Sequence, residues 1–277
     1  MSLEIGFMQG RLSPRIDGKI QAFPWERWRE EFPAAEKIGI HLMEWTLDHD
    51  RFAENPLMTT EGQAEIIALC RKHGIRVLSL TGDIFMQMPF WRVTGVERTQ
   101  RLVEFDAVAD ACSKVGIRFI VVPLVDNGAM TTPEEEEVVV DEFNKRTCWL
   151  KDRGMAVVFE CDYPPTRLAE FIARFPAETF GVNYDIGNSA ALGHDSAEEI
   201  AAYFPRILNV HIKDRKLRGT TVPLGTGNAD LKGTIADLMR RGYRGFYILQ
   251  TARAEDDDHA GVLARYRDMA KSWIEGA

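Results

Sequence analysis

Four polar side chains stand where predicted strands end, and their chemical types suit a metal site. Glu160, Asp185, His211 and Gln250 follow or lie in four successive apolar segments of the second half of the chain. Two carboxylates, an imidazole and a carboxamide oxygen form a mixed nitrogen and oxygen donor set suited to Mn²⁺, Mg²⁺, Co²⁺ or Zn²⁺. We therefore expect one divalent metal ion, held by these four side chains.

Taken singly, these residues have simpler explanations. A lone histidine on a strand is more often a hydrogen-bonded core residue, and Asp185 could merely cap the loop that follows it. Glu160 is harder to explain, because an inward carboxylate is costly unless it is paired or bound to a metal. Together, the four residues favour a metal site over coincidence.

The segment around His211 indicates how such side chains reach one place. Polar and apolar residues alternate between positions 207 and 213, so His211 and Lys213 share one face of a strand and aliphatic side chains share the other. A strand that is polar on its inner face, and most polar at its C-terminal end, suits the mouth of a parallel barrel.

The whole chain repeats a strand and helix pattern. Strands are predicted at 3–9, 40–45, 75–80, 117–124, 155–161, 180–185, 207–213 and 245–251. Helices are predicted at 24–37, 60–72, 96–115, 133–153, 166–175, 196–204, 230–241 and 256–273. Eight such units without a linker predict an α/β protein, a single (β/α)₈ TIM barrel over residues 1–277. The alternative, an open doubly wound sheet, lacks a supporting G-x-G-x-x-G motif.

Composition narrows the class of protein. The chain has 277 residues, is 45% hydrophobic and carries a formal net charge of −8. An acidic chain is a poor general binder of nucleic acid, and no apolar run is long enough to span a membrane. The N-terminus shows no signal-peptide pattern, so we expect a cytoplasmic protein.

Several short motifs carry a family resemblance. They are Gly6-Phe7-Met8-Gln9-Gly10-Arg11-Leu12-Ser13-Pro14, Glu160, Tyr184-Asp185-Ile186-Gly187-Asn188, His211-Ile212-Lys213-Asp214 and Leu224-Gly225-Thr226-Gly227-Asn228-Ala229-Asp230. With these motifs in this order, the chain resembles the xylose isomerase-like TIM-barrel superfamily of sugar and sugar-phosphate isomerases and epimerases. That superfamily includes D-tagatose 3-epimerase and L-ribulose-5-phosphate 3-epimerase. The resemblance covers essentially the whole chain.

The resemblance implies roles for individual residues. Glu160, Asp185 and His211 would be three of four metal ligands, and the fourth is a glutamate in the epimerases, where this chain has Gln250. In those enzymes the two glutamates also act as paired acid and base on opposite faces of the substrate. Because an amide cannot accept a proton, the symmetrical two-base reaction is in question here.

The expected function is a divalent-metal-dependent isomerase or epimerase of a sugar or sugar phosphate. Glu160 would move a proton through a metal-bound cis-enediolate, with the second proton carried by Glu160 itself, a metal-bound water or Lys213. Two alternatives stay open, which are a metal-dependent dehydratase on the same fold and a sugar-binding relative without catalysis.

Further residues are expected at the mouth of the barrel. Arg11, Lys213, Arg215 and Arg253 lie just beyond strand ends, and with the amides of Gly225-Thr226-Gly227 they suggest a phosphate site; pairing with nearby acids is an equally good explanation for each cation. Glu44 and Asp83 could hydrogen-bond sugar hydroxyls or pair with these cations, and Asn188 is a further candidate for contact with the substrate. The apolar segment 85–91 either covers the site or packs at a subunit interface, which leaves a homo-oligomer open.

Overall fold

The computed structural model describes residues 4–16, 18–19 and 21–277. Its strands are β1 Glu4–Met8, β2 Leu42–Thr46, β3 Arg76–Thr81, β4 Phe119–Leu124, β5 Ala156–Cys161, β6 Phe180–Asp185, β7 Ile207–Ile212, β8 Asp214–Arg215, β9 Thr221–Val222 and β10 Phe246–Leu249. Strands β1 to β7 and β10 pair in parallel and close a barrel in the order β1-β10-β7-β6-β5-β4-β3-β2. The predicted (β/α)₈ barrel is confirmed. Strands β8 and β9 form an antiparallel hairpin after β7.

Helices follow the barrel strands. They are α1 Glu31–Lys37, α2 Thr60–His73, α3 Asp83–Gln87, α4 Gly95–Val115, α5 Pro133–Asn144, α6 Thr147–Asp152, α7 Pro165–Ala173, α8 Ile186–Leu192, α9 Ser196–Tyr203, α10 Leu231–Arg240 and α11 His259–Glu275. Gly74 and Gly116 end α2 and α4 in the left-handed conformation, with φ of 62° and 90°. None of the helices in the described ranges combines the length and apolar character needed to cross a bilayer.

Alternation along the strands separates two cores. Phe7, Met43 and Leu249 join the large core between the barrel and its helices. Their neighbours Met8, Leu42 and Ile248 form a separate small cluster, which alternation places inside the barrel. Because the inward face of each strand is free of helices, polar side chains at the C-terminal strand ends can converge there.

Two helix predictions are wrong in extent. The helix predicted at 24–37 begins only at Glu31. Residues 24–30 form turns, with hydrogen bonds such as that from Arg27 N to Pro24 O. These turns keep Trp28 packed against Trp45. The helix predicted at 133–153 breaks after Asn144 into α5 and α6. At the break, the Arg146 guanidinium pairs with Asp106 of α4 at 2.6 Å.

The apolar segment 85–91 lies mostly in the core. Phe85 packs against Phe105 of α4 with ring centroids 5.2 Å apart, and Phe90 packs against Phe143 of α5 at 5.5 Å. The side chain of Trp91 is buried, and Met86 lines the cavity at the barrel mouth. The apolar character of this segment is therefore explained largely by packing within the chain.

Candidate metal centre and active site

A cavity of about 250 Å³ opens at the C-terminal ends of the barrel strands. Its lining includes acids after β3 and on β5, an amide on α8, a lysine between β7 and β8, and an amide after β10, which are Asp83, Glu160, Asn188, Lys213 and Gln250. The active-site position of a parallel barrel is this end. The sequence-predicted residues that share the cavity wall are thus brought together from distant parts of the chain.

Three of the four expected metal ligands converge beside this cavity, and one of them, Glu160, belongs to its wall. Glu160, Asp185 and His211 each present a donor atom, and these atoms lie within 4.8 Å of one another. His211 Nδ1 is 3.4 Å from Glu160 Oε2 and 3.8 Å from Asp185 Oδ2. The three strands β5, β6 and β7 are neighbours in the barrel, so consecutive strand ends supply this set.

The second nitrogen of the His211 ring contacts Glu44. His211 Nε2 is 2.7 Å from Glu44 Oε1, and both side chains are fully buried. Burial opposes the charged imidazole, but the nearby carboxylates, Glu44 foremost, outweigh it and raise the pKa of His211 well above its usual value. Burial also opposes ionisation of Glu44, yet His211 and the adjacent hydroxyls of Thr81 and Ser79 lower the pKa of that carboxyl.

This placement gives Glu44 a different role from the expected contact with substrate hydroxyls. Its carboxylate accepts hydrogen bonds from the Thr81 hydroxyl and from Asn209 Nδ2, the latter at 3.0 Å. It therefore lies beneath the cavity. A carboxylate bonded to the far nitrogen of a histidine fixes the ring and leaves the other nitrogen to face a metal.

Two asparagines complete the polar base of the site. Asn183 Nδ2 donates to Glu160 Oε2 at 2.7 Å and lies 3.1 Å from His211 Nδ1. Asn209 Nδ2 is also 2.8 Å from Asn183 Oδ1. The sequence pattern places Asn209 on the same strand face as His211, but nothing in it indicates that these amides connect Glu44 to Glu160.

Lys213 places an ammonium group beside the expected metal ligands. Its Nζ is 2.6 Å from Asp185 Oδ2 and donates to Gln250 Oε1 at 2.8 Å. Burial raises the pKa of Asp185, but the charges of Lys213 and His211 outweigh this effect and lower it to about 2. Gly187 packs so closely on the Lys213 stem that an added Cβ would lie 2.8 Å from Cγ, which restricts position 187 to glycine.

Gln250 belongs to a chain of amides across the cavity. Its Nε2 donates to Gln21 Oε1 at 3.1 Å, and Gln21 Nε2 donates to Asp83 Oδ2 at 2.6 Å. Gln21 lies in the long loop after β1, where the sequence shows no periodic pattern that would reveal its position. Gln250 Oε1 accepts a hydrogen bond from Lys213, which also contacts Asp185, and its role as the fourth ligand stays a prediction.

Asn188 and Arg215 form the rim near β5. Asn188 Nδ2 donates to Glu160 Oε1 at 2.6 Å, and Arg215 Nη1 donates to Asn188 Oδ1 at 2.8 Å. Asp185 Oδ1 caps the start of α8 by accepting from Asn188 N at 2.8 Å. Each oxygen of Glu160 thus meets one amide, which holds the plane of its carboxylate.

The other two expected cations lie away from the cavity wall. Arg253 Nε donates to the carbonyls of Gly10 and Ser13 at 2.9 and 3.2 Å. Arg11 is buried and donates to Gln21 Oε1 at 3.3 Å. Both arginines therefore support the loop after β1, and their guanidinium groups are buried with it.

The glycine-rich loop after β9 already has an acceptor. Asp214 Oδ2 accepts from Gly225 N at 2.9 Å and from Gly227 N at 2.8 Å, and Asp214 Oδ1 accepts from Ala229 N at 3.1 Å. Backbone amides that would bind a phosphate are engaged by a carboxylate of the same chain. The expected contribution of this loop to a phosphate site does not agree with the structure.

The donor set fits a divalent ion. Two carboxylate oxygens and one imidazole nitrogen, close enough to share one ion, suit borderline divalent metals, and Glu44 supplies the supporting carboxylate that such histidines usually have. Glu160, Asp185 and His211 would hold the ion. Charge favours this as well, because three carboxylates surround a single imidazole and a single ammonium group.

Comparisons with known proteins agree with this fold. The profile of the xylose isomerase-like TIM barrel family matches residues 32–273. An L-ribulose-5-phosphate 3-epimerase from Salmonella paratyphi C (strain RKS4594) is 24% identical over 261 residues, covering 91% of this chain and 92% of that protein.

Two solved structures share the barrel. The IolI protein, in a crystal structure with a bound zinc atom, has a TM-score of 0.75 at 15% identity, with 99% of each chain covered. A protein from Mycobacterium smegmatis in complex with magnesium has a TM-score of 0.72 at 16% identity, covering 99% of this chain and 97% of its own. With the matched residues and the closed barrel, the chain belongs to the xylose isomerase-like TIM barrel family.

Proposed function

We propose that this protein is a divalent-metal-dependent sugar epimerase that acts on a ketose. The observation that carries the proposal is the convergence of Glu160, Asp185 and His211, with Glu160 in the wall of a polar cavity. The curated relative described above is named an epimerase of a ketose phosphate, which supports the same reaction class. A divalent ion at these residues would supply Lewis acidity toward adjacent carbonyl and hydroxyl oxygens of the sugar.

Glu160 is the group best placed to remove a proton. It lines the cavity, and hydrogen bonds from Asn183 and Asn188 to its two oxygens hold its orientation. A carboxylate beside an acidified C–H bond can act as a general base. Glu44 holds the His211 ring, and Lys213 supplies positive charge beside Asp185, where negative charge develops on the substrate oxygens.

The charges of the cavity favour a sugar without a phosphate group. Asp83, Asp126 and Glu160 line it with Lys213 and Arg215. The two cations already contact acceptors of the chain, and Asp214 engages the glycine-rich amides. A phosphate dianion would meet acids and cations that are already hydrogen-bonded, whereas a neutral polyol can bond to both kinds of side chain.

Solvent deuterium exchange tests the proposal. The protein is incubated in D₂O with D-tagatose or L-ribulose 5-phosphate, with Mn²⁺ or with a chelator, and the products are followed by NMR. We expect deuterium at the carbon beside the carbonyl together with the epimer, faster for D-tagatose, and lost after chelation. Glu160→Gln should abolish both signals, whereas Glu170→Gln, an exposed carboxylate on α7, should leave them unchanged.

The same experiment separates the alternatives. A product lighter by one water would indicate a dehydratase. Binding of a sugar without exchange in the wild-type protein would indicate a relative that binds sugar without catalysis. Either result, or exchange that is indifferent to the metal, would reject the proposed reaction.

A further inference from the structure

The proposed epimerisation requires two proton carriers, and the last barrel strand is followed by an amide, Gln250, and not by a carboxyl group. Inversion at a carbon needs the proton to leave one face and another proton to arrive at the opposite face. Glu160 serves one face, and Gln250 cannot accept or deliver a proton at neutral pH. Its two polar ends are also engaged with Lys213 and Gln21.

Asp83 lines a different part of the wall of the same cavity. It follows β3, which is two strands from the β5 strand of Glu160 and four strands from the β7 strand of His211, so the two carboxyl groups approach the cavity from different directions. Its carboxyl lines the cavity together with Glu160. The side chain is only 7% exposed, so a substrate that fills the cavity would cover it.

Gln21 holds this carboxyl in place. Gln21 Nε2 donates to Asp83 Oδ2 at 2.6 Å, and Gln21 is itself bonded to Gln250 Nε2 at 3.1 Å. The bonds described among residues 4–16, 18–19 and 21–277 use Oδ2 of Asp83, which leaves Oδ1 for a substrate atom or a proton. The hydrogen-bond network that holds the Asp83 carboxyl in position therefore includes both Gln21 and Gln250.

The surroundings of Asp83 favour a carboxyl that holds a proton. Burial is the main cause, and the negative charges of Asp48 and Glu160 add to it, so the pKa rises to about 8 despite the Gln21 hydrogen bond and the Arg11 charge. A carboxylic acid that is protonated near neutral pH can donate a proton in a reaction. The Asp83 carboxyl is therefore suited to the role of the acid.

We propose that Asp83 is the second acid–base residue, which delivers and removes the proton on the sugar face opposite Glu160. This assignment rests on the proposed function. Glu160 takes the proton of the C–H bond beside the carbonyl and the electron pair passes into an enediolate. The Asp83 carboxyl then gives its proton to the same carbon from the other face. Both carboxyls return to their starting states by proton exchange with water, so no other reactant is consumed.

The alternative is that Asp83 only binds a hydroxyl or closes the cavity wall. The two roles differ in one measurable respect. If Asp83 carries the second proton, Asp83→Asn should still let Glu160 exchange the substrate proton with solvent, but inversion should stop. If Asp83 only binds substrate, exchange and inversion should fall together.

The test follows both signals in D₂O with Mn²⁺ and D-tagatose or L-ribulose 5-phosphate, whichever the wild type converts. For Asp83→Asn we expect epimer formation to fall at least about 100-fold, with deuterium still entering the starting sugar. Glu160→Gln should lose both signals. Asp110→Asn, which removes an exposed carboxylate from α4, should match the wild type.

Three results would overturn the assignment. They are unchanged epimerisation by Asp83→Asn, an equal loss of exchange and epimerisation in a variant with the wild-type melting temperature, and a wild type that isomerises without inverting. A wild type that exchanges no proton with either sugar rejects the proposed function itself, and the role of Asp83 with it. The two failures are therefore distinguishable.

Discussion

The ammonium group of Lys213 lies 2.6 Å from Oδ2 of Asp185, in the middle of the residues that would hold a metal ion. A positive side chain beside a ligand competes with a cation for the same oxygen. It also lowers the negative charge that the site offers to an ion. This relationship makes the site of this chain weaker for metals than its carboxylates alone suggest, and it leads to the first prediction.

Replacing the competing cation should strengthen metal binding. In Lys213→Met the apolar stem that packs on Gly187 is largely retained, while the charge is lost. We expect about a tenfold lower dissociation constant for Zn²⁺ or Mn²⁺ by isothermal titration calorimetry, since Asp185 no longer pairs with an ammonium group. Lys216→Met, at an exposed position nearby, should bind like the wild type. Unchanged affinity in Lys213→Met would contradict the competition.

A carboxylate introduced after the last barrel strand should also strengthen metal binding. Gln250→Glu adds a negative charge to the donor set and keeps an acceptor for Lys213. We expect at least about tenfold tighter binding of a divalent ion in the same titration. The comparison is Gln100→Glu, an exposed position on α4 that changes the total charge equally. If both variants bind alike, position 250 does not contact the ion.

Removing the charge beneath His211 should weaken the site. Glu44→Gln preserves the size of the side chain but no longer holds the imidazole by a charged hydrogen bond. Partners of this kind are worth about 10-fold to 100-fold in metal affinity, and we expect a loss of that size. The matched control is Glu36→Gln, whose exposed carboxylate contacts His73 at 2.7 Å far from the site. Equal affinities for the two variants would show that Glu44 does not support the ligand.

The pH dependence of epimerisation should report Asp83. Its pKa is raised to about 8, so the carboxyl loses its proton as the pH rises through that value. We expect kcat/KM to fall about tenfold per pH unit above about pH 8, with circular dichroism confirming that the fold persists. Asp48→Asn removes one of the charges that raise this pKa, while Glu160 and Arg11 remain, so the falling limb should move to lower pH. A limb that stays in place would indicate another titrating group.

A stability prediction concerns the loop after β1. The buried Glu31 carboxylate accepts from Gly10 N at 2.8 Å, Leu12 N at 3.0 Å and Ser13 Oγ at 3.0 Å. Glu31→Gln offers one acceptor oxygen and an amide donor that faces other donors. We expect a loss of about 2–3 kcal/mol in the free energy of unfolding by urea denaturation. Glu30→Gln, whose side chain is 64% exposed, should change it by less than about 0.5 kcal/mol.

The sequence predicts the barrel well because buried strands and helix ends require characteristic residue types. Strands such as β4 and β5 are nearly continuous apolar runs, and glycines such as Gly74 and Gly116 mark the ends of helices. Helix starts are less clear when aromatic packing competes with the periodic pattern. The turns before Glu31 keep Trp28 in the core, and no count of apolar spacing distinguishes them from a helix.

In the candidate site, too, some residues can be predicted from the sequence and others cannot. Glu160, Asp185 and His211 could be found because they stand at the ends of recognisable strands and belong to three neighbours of one barrel. The roles of Glu44 and Gln21 depend on which side chain each one meets across the barrel. Such contacts can join residues more than a hundred positions apart, as Glu44 and His211 show. The spacing of polar and apolar residues along the sequence does not predict them.

The hydrogen bonds of Arg253 to Gly10 and Ser13 join the first and the last strand–loop units of the barrel. During synthesis the first barrel strand and its loop leave the ribosome long before position 253 exists. Until the last unit emerges, that loop lacks these bonds and β1 lacks its partner β10. Gln21 belongs to the same loop, so the amides that bridge Gln250 and Asp83 can assemble only in the completed chain. A nascent or truncated protein would therefore contain the expected metal ligands of β5 to β7 without a finished cavity around them.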